Sequence, residues 1–115
     1  MSKAEEQSLL LEFFGDAPFF RIIDFLLDNR LRDFSKKEIA EGADVSWATL
    51  FKYWGRLERK GVVKATRHVG NVTLYQLDEH EPLVKAIKRI ELLLIERAAD
   101  EAGEKAKIRM VARQH

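Results

Sequence analysis

Lys52, Arg56 and Arg59 follow one another at spacings of four and three residues, which places all three cations on one face of a helix. Ammonium and guanidinium groups presented in this way donate charge-assisted hydrogen bonds to phosphate oxygens, and an arginine can also read a guanine edge. Thr49 and Ala48 share that face and are small. The ordinary alternative is a solvated surface. A second basic set, Lys64, Arg67 and His68, follows a few residues later. The run Asp78-Glu79-His80-Glu81 is the one cluster with metal-ligand chemistry. His68, His80 and His115 lie far apart, and neither a Ser/His/Asp arrangement nor a phosphate-cradling glycine loop is present. No catalysis is expected.

The first cations need a helix to carry them, and residues 46–60 supply it. Ser46 is the natural N-cap, Val45 precedes it as a hydrophobic staple, and Gly61 stops the helix. Leu50, Trp54 and Leu57 form the apolar stripe at helical spacing. Ala48, Lys52 and Arg59 fall within about 20° of the direction opposite Leu50 at 100° per residue, with Thr49 and Arg56 beside them. Trp47 and Phe51 flank the stripe. Trp47 either covers the edge of the core or, from the first turn, presents its ring to a thymine methyl. Gly55 costs about 1 kcal/mol relative to alanine inside a helix. It either admits another backbone or a DNA strand, or is a tolerated defect; the bulk of Trp54 and Phe51 around it favours close approach.

Around this helix the sequence spells out further elements. Ser2 and Glu5 form a capping-box pattern for a first helix reaching about residue 14. Gly15 breaks it, Asp16 is placed to cap the next helix, and Pro18 suits that helix's first turn. Phe19, Ile22, Ile23, Leu26 and Leu27 have core spacing up to about residue 29. Ser35 and Glu38 repeat the capping box before a short helix that Gly42 is expected to end. Two helices joined by so short a turn make a helix-turn-helix. After Gly61 the period becomes 2: "VVKATR" and "NVTLYQL", joined through "HVGN", predict a two-stranded hairpin. Pro82 then opens a long helix from 83 to about 100, and the tail from 104 to 115 either extends the helix or frays.

Composition fits this picture. The chain of 115 residues, 46% hydrophobic, is long enough for one core. It has no cysteine, which excludes disulfides, thiolate metal sites and a cysteine nucleophile. No run approaches the roughly 18 apolar residues of a membrane span and no signal peptide is apparent, so a cytoplasmic protein with no membrane partner is expected. Net charge is +1, but residues 1–29 carry −4, residues 30–77 carry +5 and residues 78–115 carry zero. The basic centre points to a polyanion.

Helix, helix, short helix, turn, helix and hairpin in that order is mainly α with a small β-hairpin, a winged helix-turn-helix with extra N- and C-terminal helices. Over roughly residues 16–80 the sequence resembles ArsR- and MarR-type transcription regulators, particularly archaeal ones. The features that carry this are the capped short helix, Val45-Ser46, Thr49-Leu50, Leu57-Glu58, Gly61-Val62-Val63, and Tyr75 with Leu77. The resemblance implies a DNA-binding regulator whose helix 46–60 enters the major groove while the wing, 62–77, meets the flanking backbone. Its DNA-contacting set is then Ser46, Trp47, Ala48, Thr49, Lys52, Arg56, Arg59, Lys64, Arg67 and His68, with Arg67 and His68 at the wing tip.

Some ArsR relatives bind zinc through an Asp-x-His pair and two later ligands. Asp78 and His80 match the pair, but Glu91 and Leu94 occupy the later positions, so the acids are read as a helix start and no metal or other cofactor is expected. On the last helix Leu83, Ile87, Ile90, Leu94 and Ala98 form one stripe, sufficient for the domain's own core. Leu92 and Ile95 fall outside it. A helix apolar on more than one face is buried on more than one face, which suggests a homodimer through Leu10, Phe13, Phe14, Leu92, Ile95 and Ala99 in one unit spanning 1–103. The alternative is a monomer whose terminal helices pack on each other.

The function expected is sequence-specific binding of double-stranded DNA by a homodimeric transcription regulator; no small-molecule effector is indicated. The competing class is a winged-helix protein-interaction module without DNA binding, within replication, segregation or transcription machinery.

Overall fold

The structure, a computed structural model, describes the backbone of residues 8–114 and the side chains of residues 8–104. The Ser2/Glu5 capping box and His115 lie outside the described residues. Helix α1, Leu9–Phe14, is capped by Ser8, whose Oγ accepts from the Leu11 amide and donates to Asp24 Oδ1 at 2.6 Å. That second bond ties α1 to α2, Pro18–Asp28. The N-cap of α2 is Ala17, which makes no side-chain cap; Asp16 is one residue too early, because Pro18 takes the first helical position that suits its missing amide.

Helix α3, Lys36–Ala43, has both halves of its capping box, Ser35 Oγ accepting from the Glu38 amide and Glu38 Oε1 from the Ser35 amide. Gly42 does not end it. A Cβ there would lie 2.1 Å from the Phe25 ring, so the glycine lets α3 pack against α2, and the turn is made by Asp44 at φ 57°. Helix α4, Trp47–Arg59, follows with Ser46 as N-cap and Gly61, φ 72°, just beyond its end. Strands β1, Val63–Val69, and β2, Val72–Leu77, pair antiparallel with Val63 opposite Leu77 and Val69 opposite Val72. The two-residue turn Gly70-Asn71 has its positive φ at Gly70, as a type II′ hairpin requires. Phe34 exchanges both backbone hydrogen bonds with Tyr75, adding one rung outside β2, and the Asp78 amide donates to Val62 O to close the root of the wing.

One core joins these elements. It contains Ile22, Ile23, Leu26 and Leu27 of α2, Ile39, Ala40 and Ala43 of α3, and Leu50, Trp54 and Leu57 of α4. Val62, Val63, Leu77 and Val84 close it. Each fully buried leucine or isoleucine contributes about 1.5–3 kcal/mol. Leu10, expected at an interface, is instead a core residue with 1% exposure, because α1 lays it between α2 and the last helix.

Helix α5, Pro82–Gln114, is longer than expected and continues through Gly103. Its 33 residues span about 50 Å at 1.5 Å each, and the molecule measures 67 × 31 × 22 Å. Its core-facing stripe is displaced from the one expected: Val84 is fully buried and Ile87 and Leu94 pack on the core, whereas Leu83 and Ile90 are exposed. Among the described residues no helix is long and apolar enough to cross a membrane.

Candidate nucleic-acid interface

The buried stripe of α4 is Leu50, Trp54 and Leu57, as their spacing requires, so the opposite side of the helix is turned to solvent. Ala48, Lys52 and Arg59 are exposed there. Ser46 and Thr49 are engaged at the helix start: the Thr49 amide donates to Ser46 Oγ at 3.1 Å, and the Ser46 hydroxyl donates to Thr49 Oγ1 at 2.8 Å. Trp47 is 48% exposed and meets Phe51 edge-on at 4.6 Å. One side of Trp47 lines a shallow hollow with Lys37, Ala40, Glu41 and Val45, and the rest of its ring faces solvent.

Gly55 lies on the same outward surface. Among the described residues no backbone from outside α4 comes within 4 Å of a Cβ built there; the close neighbour is the Arg59 guanidinium, at 3.0 Å. Close approach by another part of this chain is therefore not its role among the described residues. Arg56 shares the Tyr53 ring with Lys52, whose ammonium lies 5.5 Å from the ring centroid. Its guanidinium sits 5.3 Å from the ring centroids of both Phe19 and Tyr53, and with Lys60 it supplies the charged rim of an apolar groove of about 300 Å³ between α1, α2, α4 and α5.

On the wing, Lys64 is exposed near the root of β1. His68 Nδ1 shares a 2.9 Å hydrogen bond with the Thr73 hydroxyl across the hairpin. Arg67 is not at the tip, which belongs to Gly70 and Asn71. Its Nε and Nη2 donate to Asp33 Oδ2 and Oδ1 at 2.9 and 3.2 Å, and the pair holds the Asp33 carboxyl below the ordinary value. Asp33 was missed by sequence reasoning. So was Lys36, whose ammonium lies 5.3 Å from the Trp54 ring and 5.6 Å from those of Phe51 and Tyr75, a cation held by aromatic faces from α4 and β2. Neither carries a local signal, because every partner is remote in sequence.

The acids before α5 are structural in the described residues. Asp78 Oδ1 accepts from the His80 amide, Glu81 accepts from the Leu83 amide, and Glu79 pairs with Lys88 and Arg30, Lys88 holding its carboxyl below the ordinary value. Glu91 lies toward Asp24 and Asp28; burial first, then those two carboxylates, raises its pKa. Among the described residues no three His, Asp or Glu side chains are grouped to hold a metal.

The backbone has solved counterparts. The chain has the winged helix-turn-helix fold. MepR, a transcription regulator of the Staphylococcus aureus multidrug efflux pump MepA, aligns with a TM-score of 0.56 at 17% identity over 78% of this chain and 70% of its own. A mutant of MepR from a multidrug-resistant S. aureus clinical isolate aligns at 0.52 and 16% identity over 91% and 84%. A mutant of Lactococcus lactis ZitR aligns at 0.53 and 20% identity over 76% of this chain and 59% of its own. No family model and no curated protein matches the sequence.

Proposed function

We propose that this chain is a homodimeric transcription regulator of the ArsR/MarR-like type that binds double-stranded DNA and acts by occupying a promoter. The observation that carries the reading is the outward face of α4, where Lys52 and Arg59 stand with small Ala48 and Gly55 opposite a fully apolar stripe. A helix of this kind presents cations to phosphates and base edges while its small residues let the duplex come near. Lys64 and His68 extend the basic surface onto the wing. The homodimer is supported by α5: Leu92 and Ile95 are 46% and 48% exposed, and Phe13 of α1 is 66% exposed. Ala99 is also exposed and Phe14 is 40% exposed, so five of the six residues expected at an interface are available to a second copy.

Fluorescence anisotropy on random-sequence duplex over a range of salt, followed by selection of preferred sites, tests the reading. Lys52→Ala with Arg59→Ala is expected to melt like the parent, bind more weakly, and lose about two units of salt slope, roughly one per phosphate contact. A normally folded double variant with parental affinity at matched salt rejects α4 as the recognition helix.

A further inference from the structure

Asp33 stands in the segment between α2 and α3, and three hydrogen bonds converge on it from β1. Its Oδ2 accepts from Thr66 Oγ1 at 2.7 Å and from Arg67 Nε at 2.9 Å, and its Oδ1 accepts from Arg67 Nη2 at 3.2 Å. Neighbouring side chains of a regular strand point to opposite faces, so Thr66 and Arg67 would not ordinarily reach one carboxylate. They do so here because the pairing of β1 with β2 slips between Ala65 and Arg67, leaving Thr66 as the extra residue. The irregularity and the acid therefore belong together. On the same segment, the Phe34 rung with Tyr75 fixes the backbone of β2, and Gln76 Nε2 donates to Arg30 O. Among the described residues the strand nearer solvent, β1, has no such backbone rung; its first residue, Val63, is held in the core, and Asp33 ties the strand to the body of the domain farther out.

We propose that Asp33 is a positioning residue for DNA binding: it fixes the pitch of the wing relative to α4, and Arg67 is the strut through which it acts rather than a phosphate contact. This rests on the DNA-binding reading given above. It also makes a prediction opposite in sign to simple electrostatics. Removing a negative charge beside a polyanion's site should tighten binding, whereas loss of the strut lets Lys64 and His68 drift from their places and weakens it.

Four proteins decide the matter: the parent, Asp33→Ala, Arg67→Ala, and the charge swap carrying Asp33→Arg with Arg67→Asp. Each is titrated with duplex across salt, and wing amide exchange is followed without DNA. Both single variants are expected to bind several-fold more weakly, Arg67→Ala with an unchanged salt slope. Both are expected to exchange faster in β1 while α4 core amides stay protected. The swap is expected to recover slow exchange and most of the affinity, which an aspartate in place of a true phosphate contact would not do. Tighter binding by Asp33→Ala overturns the proposal. So does a slope that falls by about one unit in Arg67→Ala together with a swap weaker than that variant. Unchanged exchange in both single variants shows that the clasp does not hold the wing, and altered exchange with parental binding rejects the positioning role. A parent that binds no duplex instead rejects the DNA-binding reading, while the exchange data still report on the clasp.

Discussion

The outward face of α4 and the helix α5 differ in what they turn to solvent. On α4, Leu50, Trp54 and Leu57 are buried within the chain and the side opposite them is basic or small, while Trp47 and Phe51 flank it at 48% and 50% exposure. Among the described side chains of α5, Val84 alone is fully buried, while Leu83, Ile90, Leu92, Leu93 and Ile95 are each at least 37% exposed. The α4 face turns cations outward; the described part of α5 carries apolar surface that the other described residues leave uncovered. The partners proposed above match that difference: a charged one for α4, an apolar one for α5.

The contrast can be broken most severely at α5. Leu92→Glu with Ile95→Glu is expected to give a monomer in sedimentation, with much poorer affinity for a palindrome whose half-sites lie about one turn, roughly 34 Å, apart. A parent that already sediments as a monomer at micromolar concentration ends the dimer proposal. Next comes the tightness of the α2–α3 contact. Gly42→Ala is expected to destabilise by about 1–3 kcal/mol through overpacking, since the Phe25 ring it would strike is itself packed on Phe34 at 4.9 Å. Thermal melts check this, and an unshifted midpoint contradicts the close packing.

Gly55→Ala sharpens the comparison on the outward side of α4. Among the described residues the neighbour outside the helix backbone is the flexible end of Arg59, so the variant is expected to gain up to about 1 kcal/mol from helix propensity. Duplex affinity is expected to fall, because a methyl group then occupies the surface offered to DNA. Higher stability with parental affinity makes the glycine a tolerated defect. The smallest effect is expected at Glu91→Gln. The pKa of Glu91 is raised in the folded chain, so its contribution is favourable below the ordinary value of 4.5 and is lost as pH rises through the raised one. The variant should melt above the parent at neutral pH and level with it in acid. A gap that widens in acid reverses the sign and rejects the carboxylate crowding among Glu91, Asp24 and Asp28.

What could be read from the sequence was whatever is decided within a few residues. The Ser35/Glu38 capping box, the Ser46 cap, the Gly70-Asn71 turn and the Leu50/Trp54/Leu57 stripe all have their partners nearby, and the structure contains each of them. Features decided across the fold were not legible. Arg67 meets an acid 34 positions away. Gly42 looked like a stop signal because its true neighbour, Phe25, is on another helix. The register of α5 was ambiguous for a different reason: with Leu83, Val84, Ile87, Ile90 and Leu92 to Ile95 spread around the helix, periodicity alone does not choose which stripe faces inward.

Among the described residues the backbone rung between Phe34 and Tyr75 covers one side of the hairpin and leaves β1 as its open border. An open strand border is a template for another chain's strand and thereby for aggregation. Here that border is interrupted at Thr66 and carries Lys64 and His68 beside the Arg67–Asp33 pair, so a strand laid against it would lose its hydrogen-bond alignment and meet polar and charged side chains. Copies of the chain at high concentration are thus protected from zipping together along β1.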